Sequence, residues 1–184
     1  MPLGSGSVRD YGYEGQVLLM TPLHAPPSLP AAAPVEVAAT VKYVVCREIC
    51  IPGKADLSLS IPAEKQTDAD ASPSRKLFQA TRAQLPNPLP ADLRINATSM
   101  GKYFVLQIEG SPATNDTRFF PLDPGVIENS APQSLTSNGK VARLTLKWFD
   151  QPVKPLSRLR GVIVLDKNHA YKIDVPVGVA VRFD

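Results

Sequence analysis

Two cysteines, Cys46 and Cys50, are the residues of this sequence whose type and spacing could do chemistry. Residues four apart on an extended strand lie about 13 Å apart, because each residue adds about 3.3 Å. A disulfide needs Cα atoms within about 7 Å, so bonding of this pair requires a sharp turn. Closing so short a loop contributes about 2 kcal/mol, against about 4–5 kcal/mol for a loop of roughly 100 residues. Such a bridge suits a bond that opens and closes; an inert disulfide, or two thiols that never meet, is the alternative.

The charged residues near the cysteines have opposing effects on the stability of a thiolate. Arg47 lies between them, and Lys42 and Lys54 lie close in sequence. Positive charge stabilises the thiolate, which is the attacking form in disulfide exchange. Three acidic residues nearby partly cancel this effect: Glu36, Glu48 and Asp56. The sequence therefore predicts only weak activation of a thiolate.

Other chemistries find little support in the sequence. The two histidines, His24 and His169, are far apart, and the spacing matches no common zinc pattern, so we predict no metal site. Copper(I) handling by the two thiolates is a further alternative, because soft ligands suit that ion. No glycine-rich phosphate loop or Ser/His/Asp arrangement is present, and we predict no bound cofactor. A net charge of +3 without a basic run argues against a nucleic-acid partner.

The elements that position the cysteines are predicted to be strands. Nineteen prolines leave few long helical patterns. Short runs rich in Val, Ile, Leu, Phe and Tyr alternate with turn clusters, which is typical of an all-β protein. Asn138-Gly139 is a turn signal, and residues 166–169 are expected to close a hairpin. The predicted strands away from the cysteines are residues 16–21, 93–98, 103–109, 117–121, 141–148, 161–165 and 171–175, with 177–183 as a continuation.

The clearest alternation flanks the cysteine pair. Residues 35–46 predict a half-buried strand, and residues 55–61 repeat the pattern. The cysteines are therefore expected in the turn that joins two strands, with Pro52-Gly53 preventing the turn from extending into the second strand. The apolar face is predicted to carry Val35, Val37, Ala39, Val41, Tyr43 and Val45, with Leu57, Leu59 and Ile61 also directed inward.

One helix is predicted. Residues 64–71 are polar and read as a linker, and residues 73–85 then favour a helix. Ser72 suits the N-cap and Pro73 the first helical position. Residues 22–34, rich in proline and alanine, are expected to be an extended, exposed connection.

The sequence predicts neither a membrane span nor a signal peptide. No apolar run reaches 18 residues, so no direct membrane insertion is expected. Residues 1–7 lack the basic and apolar regions of a signal peptide. We expect a mature fragment of a longer exported protein.

Several motifs in this sequence resemble the N-terminal periplasmic domain of the DsbD-type thiol:disulfide interchange proteins, and more closely the ScsB-like branch. The resemblance covers most of residues 11–177, and its cysteine motif is the more specific part. Its first half consists of Tyr11-Gly12-Tyr13-Glu14-Gly15, Tyr43-Val44-Val45-Cys46, Cys50-Ile51-Pro52-Gly53-Lys54-Ala55 and Leu57-Ser58-Leu59. Its second half consists of Arg118-Phe119-Phe120-Pro121-Leu122-Asp123, Ala131-Pro132-Gln133, the run of residues 159–165 and the run of residues 170–177.

The resemblance implies immunoglobulin-like antiparallel β-sandwich units with one short helix between them. It implies that Cys46 and Cys50 are a redox-active catalytic pair, with Cys50 forming the mixed disulfide and Cys46 resolving it. Electrons would come from a membrane-embedded reductase domain through thioredoxin-fold domains, and pass to oxidised periplasmic proteins. The best-known relatives space the two cysteines more widely. The expected domains are residues 8–62 with the cysteine pair, 63–90 as linker and helix, and 91–184 as a second β-sandwich.

Two functions from different classes remain at this point. The first is a periplasmic thiol-disulfide oxidoreductase domain, which needs a disulfide that partners can reach. The second is a non-catalytic β-sandwich interaction module, in which the same disulfide is structural.

Overall fold

The computed structural model describes residues 11–28, 33–62, 74–110, 113–149 and 156–179. These residues form ten strands and one helix, which confirms the predicted all-β class. The elements are β1 (Val35–Cys46), β2 (Cys50–Ile61), α1 (Arg75–Ala83), β3 (Asn87–Pro88), β4 (Arg94–Met100), β5 (Tyr103–Glu109), β6 (Arg118–Pro121), β7 (Ser134–Ser137), β8 (Val141–Lys147), β9 (Arg158–Val164) and β10 (Ala170–Val179).

Contacts divide the chain into two compact units. The ribbon unit comprises residues 18–79, and the sandwich unit comprises residues 1–17 and 80–184. The domain boundaries expected from the sequence stay a prediction. The helix of the described residues has nine residues, far fewer than a membrane crossing requires.

The ribbon unit is built on one long hairpin. Strands β1 and β2 pair antiparallel over twelve residues each, from Val35 opposite Ile61 to Cys46 opposite Cys50. Side chains alternate between the two faces of a strand, so this register separates an apolar face from a polar face. The predicted alternation of β1 is thereby confirmed. The apolar face carries Val35, Val37, Ala39, Val41, Tyr43 and Val45 of β1, opposite Ile61, Leu59, Leu57, Ala55, Gly53 and Ile51 of β2.

The expected burial of this apolar face is wrong for most of its residues. Leu57 and Leu59 are 56% and 62% exposed, and Tyr43 and Val45 are also exposed. Alternation depends only on the strand, whereas burial requires a second layer, and no described residue of the ribbon unit is buried. The sequence pattern thus predicted which side chains share a face and not whether that face is covered.

The sandwich unit is organised by its last strand. Residues 170–176 of β10 pair antiparallel with β9, and β6 pairs with the other edge of β9. Residues 177–179 of β10 pair in parallel with β4, which continues through β5 and β8 to β7. Strand β10 also pairs in parallel with the two-residue β3. Pairing is thus antiparallel except at β10, which pairs in parallel with β3 and β4 because one strand serves two sheets.

One hydrophobic core holds these sheets together. It contains Leu159 and Ile163 of β9, Leu106 of β5 and Leu144 of β8, all with no exposed surface. Burial of such a side chain stabilises a fold by roughly 1.5–3 kcal/mol. Every buried hydrophobic residue among those described lies in the sandwich unit.

Some elements differ from the sequence-based expectations. Residues 16–21 are not a strand, since a strand requires a hydrogen-bonded neighbour and alternation alone does not supply one. Strands β3 and β7 were not predicted, because two and four residues give too little periodicity. The helix begins at Arg75 and ends at Ala83, within the predicted range, and Ser72 and Pro73 lie outside the described residues.

The two predicted turns are confirmed. Asn138-Gly139 joins β7 to β8, where Gly139 has φ of 84° and the Asn138 carboxamide accepts hydrogen bonds from the backbone of Lys140 and Val141. Residues 166–169 join β9 to β10.

Candidate redox site at the end of the ribbon

A disulfide joins Cys46 and Cys50, the last residue of β1 and the first of β2. Their Cα atoms are 4.1 Å apart, and they form the final pair of the antiparallel register. Only residues 47–49 lie between the strands. The predicted sharp turn is confirmed, and the cysteines lie at its two ends rather than within it.

The sequence led us to expect that Pro52-Gly53 would separate the turn from a second strand starting at residue 55. The strand starts earlier and includes both residues. Strand β2 begins at Cys50 and includes Pro52, opposite Val44, and Gly53, opposite Tyr43. Proline is tolerated because each strand of a two-stranded ribbon has one edge that bonds no neighbour. A proline N–H is therefore not needed at this position.

Gly53 has a packing role. Its neighbour across the ribbon is Tyr43, and a Cβ added at Gly53 would come closer than 3.0 Å to the tyrosine ring and hydroxyl. The ring therefore covers the glycine backbone on the apolar face. This cross-strand contact holds the register of the ribbon near the disulfide.

The disulfide lies on the polar face of the ribbon, as its register position requires. Val44 and Pro52 are the next pair on that face, followed by Lys42 and Lys54. Both cysteines are exposed, and Ile49 in the loop is 72% exposed. The sulfur–sulfur bond thus lies in an exposed part of the ribbon unit.

Asp56 is the acidic group of this face with defined partners. The Thr40 hydroxyl donates to its carboxylate at 2.6 Å, and the Lys54 ammonium lies 2.9 Å from the other oxygen. The Thr40 hydrogen bond and, second, the Lys54 contact hold the pKa of Asp56 below its ordinary value of 3.8. The carboxylate therefore stays charged and partly neutralises Lys54.

The second set of motifs comes together within the sandwich unit. The Gln133 side chain donates to the Phe119 carbonyl at 2.8 Å and accepts from the Phe119 N–H at 2.7 Å. This pair of bonds completes the edge of β6 as a neighbouring strand would. The Arg160 guanidinium binds the Asp123 carboxylate, which raises the pKa of Arg160. The sequence did not predict the contact between Gln133 and Phe119. Strand prediction relies on alternating residues, and a single side chain that bonds a strand edge leaves no such pattern.

Tyr11 and His169, two of the aromatic and histidine candidates, belong to the sandwich unit. The ring of Tyr11 packs edge-on against Phe120, with centroids 5.0 Å apart, in the sandwich unit. His169 contacts the Asp166 carboxylate at 2.8 Å. The backbone of Asn168, and next the His169 ring, lower the pKa of Asp166. These contacts close the β9–β10 turn. Within the described ranges, no three His, Cys, Asp or Glu side chains form a cluster that could hold a metal ion.

The fold and the site together define an all-β protein with an exposed disulfide across the end of a hairpin. Residues 4–62 match the family model described as thiol:disulfide interchange protein DsbD, N-terminal, and this segment contains both cysteines. The predicted resemblance is confirmed.

A solved structure also supports the fold assignment. The chain is similar to the crystal structure of the N-terminal periplasmic domain of ScsB from Proteus mirabilis, with a TM-score of 0.52 and 12% sequence identity. The match covers 76% of this chain and 57% of that chain, so this chain spans little more than half of that structure. It supports the predicted immunoglobulin-like fold. None of the curated proteins matches this chain.

Proposed function

We propose that this chain is a periplasmic thiol-disulfide exchange domain in which Cys46 and Cys50 are the catalytic pair. The observation that carries the proposal is the exposed disulfide at the end of the β1–β2 hairpin, within the segment that matches the DsbD family model. The bridge closes a three-residue loop, so it contributes little stability for a structural staple. An exposed bond of low structural value is suited to reversible opening.

The chemistry is two successive thiol-disulfide exchanges. A partner thiolate attacks the Cys50 sulfur, forms a mixed disulfide and releases Cys46 as a thiolate, which takes a proton from water. The other cysteine thiolate of the same partner then attacks the partner sulfur of the mixed disulfide. This attack forms a disulfide within the partner and releases Cys50 as a thiolate. The partner dithiol is thereby oxidised, and Cys46 and Cys50 are reduced. The reverse sequence passes the two electrons to an oxidised periplasmic protein.

The partners in this proposal are thioredoxin-fold domains and, through them, a membrane-embedded reductase domain. The match to a DsbD family and to a periplasmic domain of ScsB supports this assignment. The exposed residues 47–49 between the cysteines, Arg47, Glu48 and Ile49, would form the surface that such a partner meets first.

Single cysteine variants test the order of the two cysteines. We expect Cys46→Ser to retain the attacking thiol at Cys50 and to accumulate a mixed disulfide with a thioredoxin-fold protein. Cys50→Ser should give at least tenfold less of that complex. Non-reducing gels with mass spectrometry of the joined peptides measure both. Accumulation of no complex by either variant contradicts the proposal.

The reduction potential separates the proposal from the structural alternative. Structural disulfides lie below about −300 mV, whereas exchangeable ones have higher potentials. We expect a value above that limit, measured by equilibration with glutathione or dithiothreitol buffers and thiol alkylation. A lower value would favour the interaction module with an inert bridge.

A further inference from the structure

The disulfide face of the ribbon carries a second chemical feature, which we call the lysine pair. Lys42 and Lys54 are directly opposite each other in the antiparallel register, on the same face as the disulfide. One apolar pair, Val44 and Pro52, separates them from it. Each lysine Cα lies about 13 Å along the strand from the cysteine of its own strand, and the long side chain can shorten that distance.

The lysine pair works against the stability of the ribbon. Like charges directly opposite each other destabilise an antiparallel pair. The Asp56 carboxylate lies 2.9 Å from the Lys54 ammonium and partly neutralises its charge, whereas Lys42 makes no ion pair with any described residue. The remaining positive charge is exposed on the same face as the disulfide, one residue pair away from it. This exposed charge is accessible to an anionic group of a partner.

The surface between the lysines has a shape that fits such a partner. A shallow depression of about 570 Å³ is lined by Lys42, Tyr43, Val44, Pro52, Gly53 and Lys54. Four of these residues, Lys42, Val44, Pro52 and Lys54, belong to the disulfide face, and Tyr43 and Gly53 belong to the apolar face. On the disulfide face, an apolar pair therefore lies next to the lysine pair. A short extended segment with an Asp or Glu side chain matches both properties, since its backbone would lie on Val44 and Pro52 while the carboxylate meets the lysines.

We propose that the lysine pair binds an acidic segment of the redox partner and thereby holds the partner's thiolate beside the Cys46–Cys50 disulfide. The inference rests on the proposed function. The attack itself is unchanged: the partner sulfur bonds to one cysteine sulfur, and the other leaves as a thiolate that is protonated by water. The lysine pair raises the local concentration of a negatively charged attacker and has no part in bond breaking.

Three small thiols of one carbon skeleton test the electrostatic part on the full chain. The probes are 2-mercaptoethanesulfonate, 2-mercaptoethanol and cysteamine, which carry a negative, a neutral and a positive group beside the thiol. For each probe, the rate of mixed-disulfide formation in Lys42→Gln/Lys54→Gln is divided by the rate in the parent protein. We expect about threefold slower reaction with the anionic probe at low salt, no change with the neutral probe, and faster reaction with the cationic probe. The difference should shrink below about twofold at 0.5 M salt.

The matched control removes two lysines from the sandwich unit. Lys140→Gln/Lys172→Gln changes the net charge equally, at two exposed positions, and should leave all three ratios near one. Equal ratios for the three probes in the ribbon variant, or the same anion effect in the control, would overturn the inference. Reaction of the neutral probe at the parent rate shows that the disulfide itself is intact, so these results would leave the proposed function standing.

A protein probe tests the partner. A thioredoxin-fold reductase with Asp or Glu residues beside its active cysteines is compared with the same protein carrying Asn or Gln there. We expect the ribbon variant to slow reduction by the acidic form about tenfold and reduction by the neutral form less than twofold. Equal slowing of both forms would contradict an acidic recognition segment.

Discussion

The residue-scale chemistry of this protein depends on a few exposed side chains around one bond. Cys46 and Cys50 are a directly opposed pair, so the alternation of the strands places them on the polar face with Asp56 and the lysine pair. The Tyr43 ring covers Gly53 on the other face. The disulfide thus closes the end of the paired strands, and the apolar pair Val44 and Pro52 separates it from the lysine pair.

The ionisation of Asp56 provides a test at this scale. Its pKa is lowered first by the Thr40 hydroxyl and then by Lys54. A depressed carboxylate pKa stabilises the fold above the unfolded-state value near 3.8, and this contribution is lost as the pH falls through the lower folded-state pKa. We expect a midpoint below 3.8 for Asp56 in an NMR titration. Thr40→Val should raise the midpoint more than Lys54→Gln does. A midpoint that neither substitution moves would contradict the two contacts.

At the scale of elements, the β1–β2 ribbon combines a long register with little burial. Its twelve pairs determine which side chains share a face. A two-stranded ribbon alone is marginally stable in water, because few apolar groups leave solvent. The disulfide restricts the conformational freedom of the unfolded chain only at the loop end of the hairpin. Its stabilising effect should therefore be confined to that end.

Reduction should therefore loosen the loop end of the ribbon. The bridge contributes about 2 kcal/mol, and every 1.4 kcal/mol corresponds to a factor of ten. We expect amide protection in residues 43–53 to fall by up to about 30-fold when Cys46 and Cys50 are reduced. Amides of β5 and β8 serve as the internal control and should not change. Hydrogen exchange of the oxidised and reduced forms measures both, and a uniform loss across the chain would contradict local loosening.

The whole molecule divides its roles between two units. The sandwich unit contains the hydrophobic core, and the ribbon unit contains the disulfide. Trp148 is the single tryptophan of the sequence, and it lies against Phe104 with ring centroids 4.8 Å apart. Its fluorescence therefore reports on the folding of the sandwich unit.

A pair of leucine substitutions tests this division. Leu106 is fully buried in β5, and Leu106→Ala should lower the free energy of unfolding by about 2–5 kcal/mol. Leu57 in β2 is 56% exposed and belongs to the ribbon unit. Leu57→Ala should change the free energy of unfolding of the sandwich unit by less than about 0.5 kcal/mol. Urea unfolding followed by Trp148 fluorescence measures both. A shift by Leu57→Ala as large as that by Leu106→Ala would be incompatible with the expected division.

The sequence by itself determined the local features. Alternation in residues 35–46 predicted the faces of β1, and the cysteine spacing required the turn. These properties depend on neighbouring residues alone, since side-chain direction along a strand repeats every two residues.

Only the tertiary structure decided the long-range features. It showed that the apolar face of the ribbon is mostly exposed, that β10 serves two sheets, and that Pro52 lies within β2. It also revealed the contact between Gln133 and Phe119. Burial, strand partners and free edges depend on residues distant in the chain, and no local pattern encodes which of them come together.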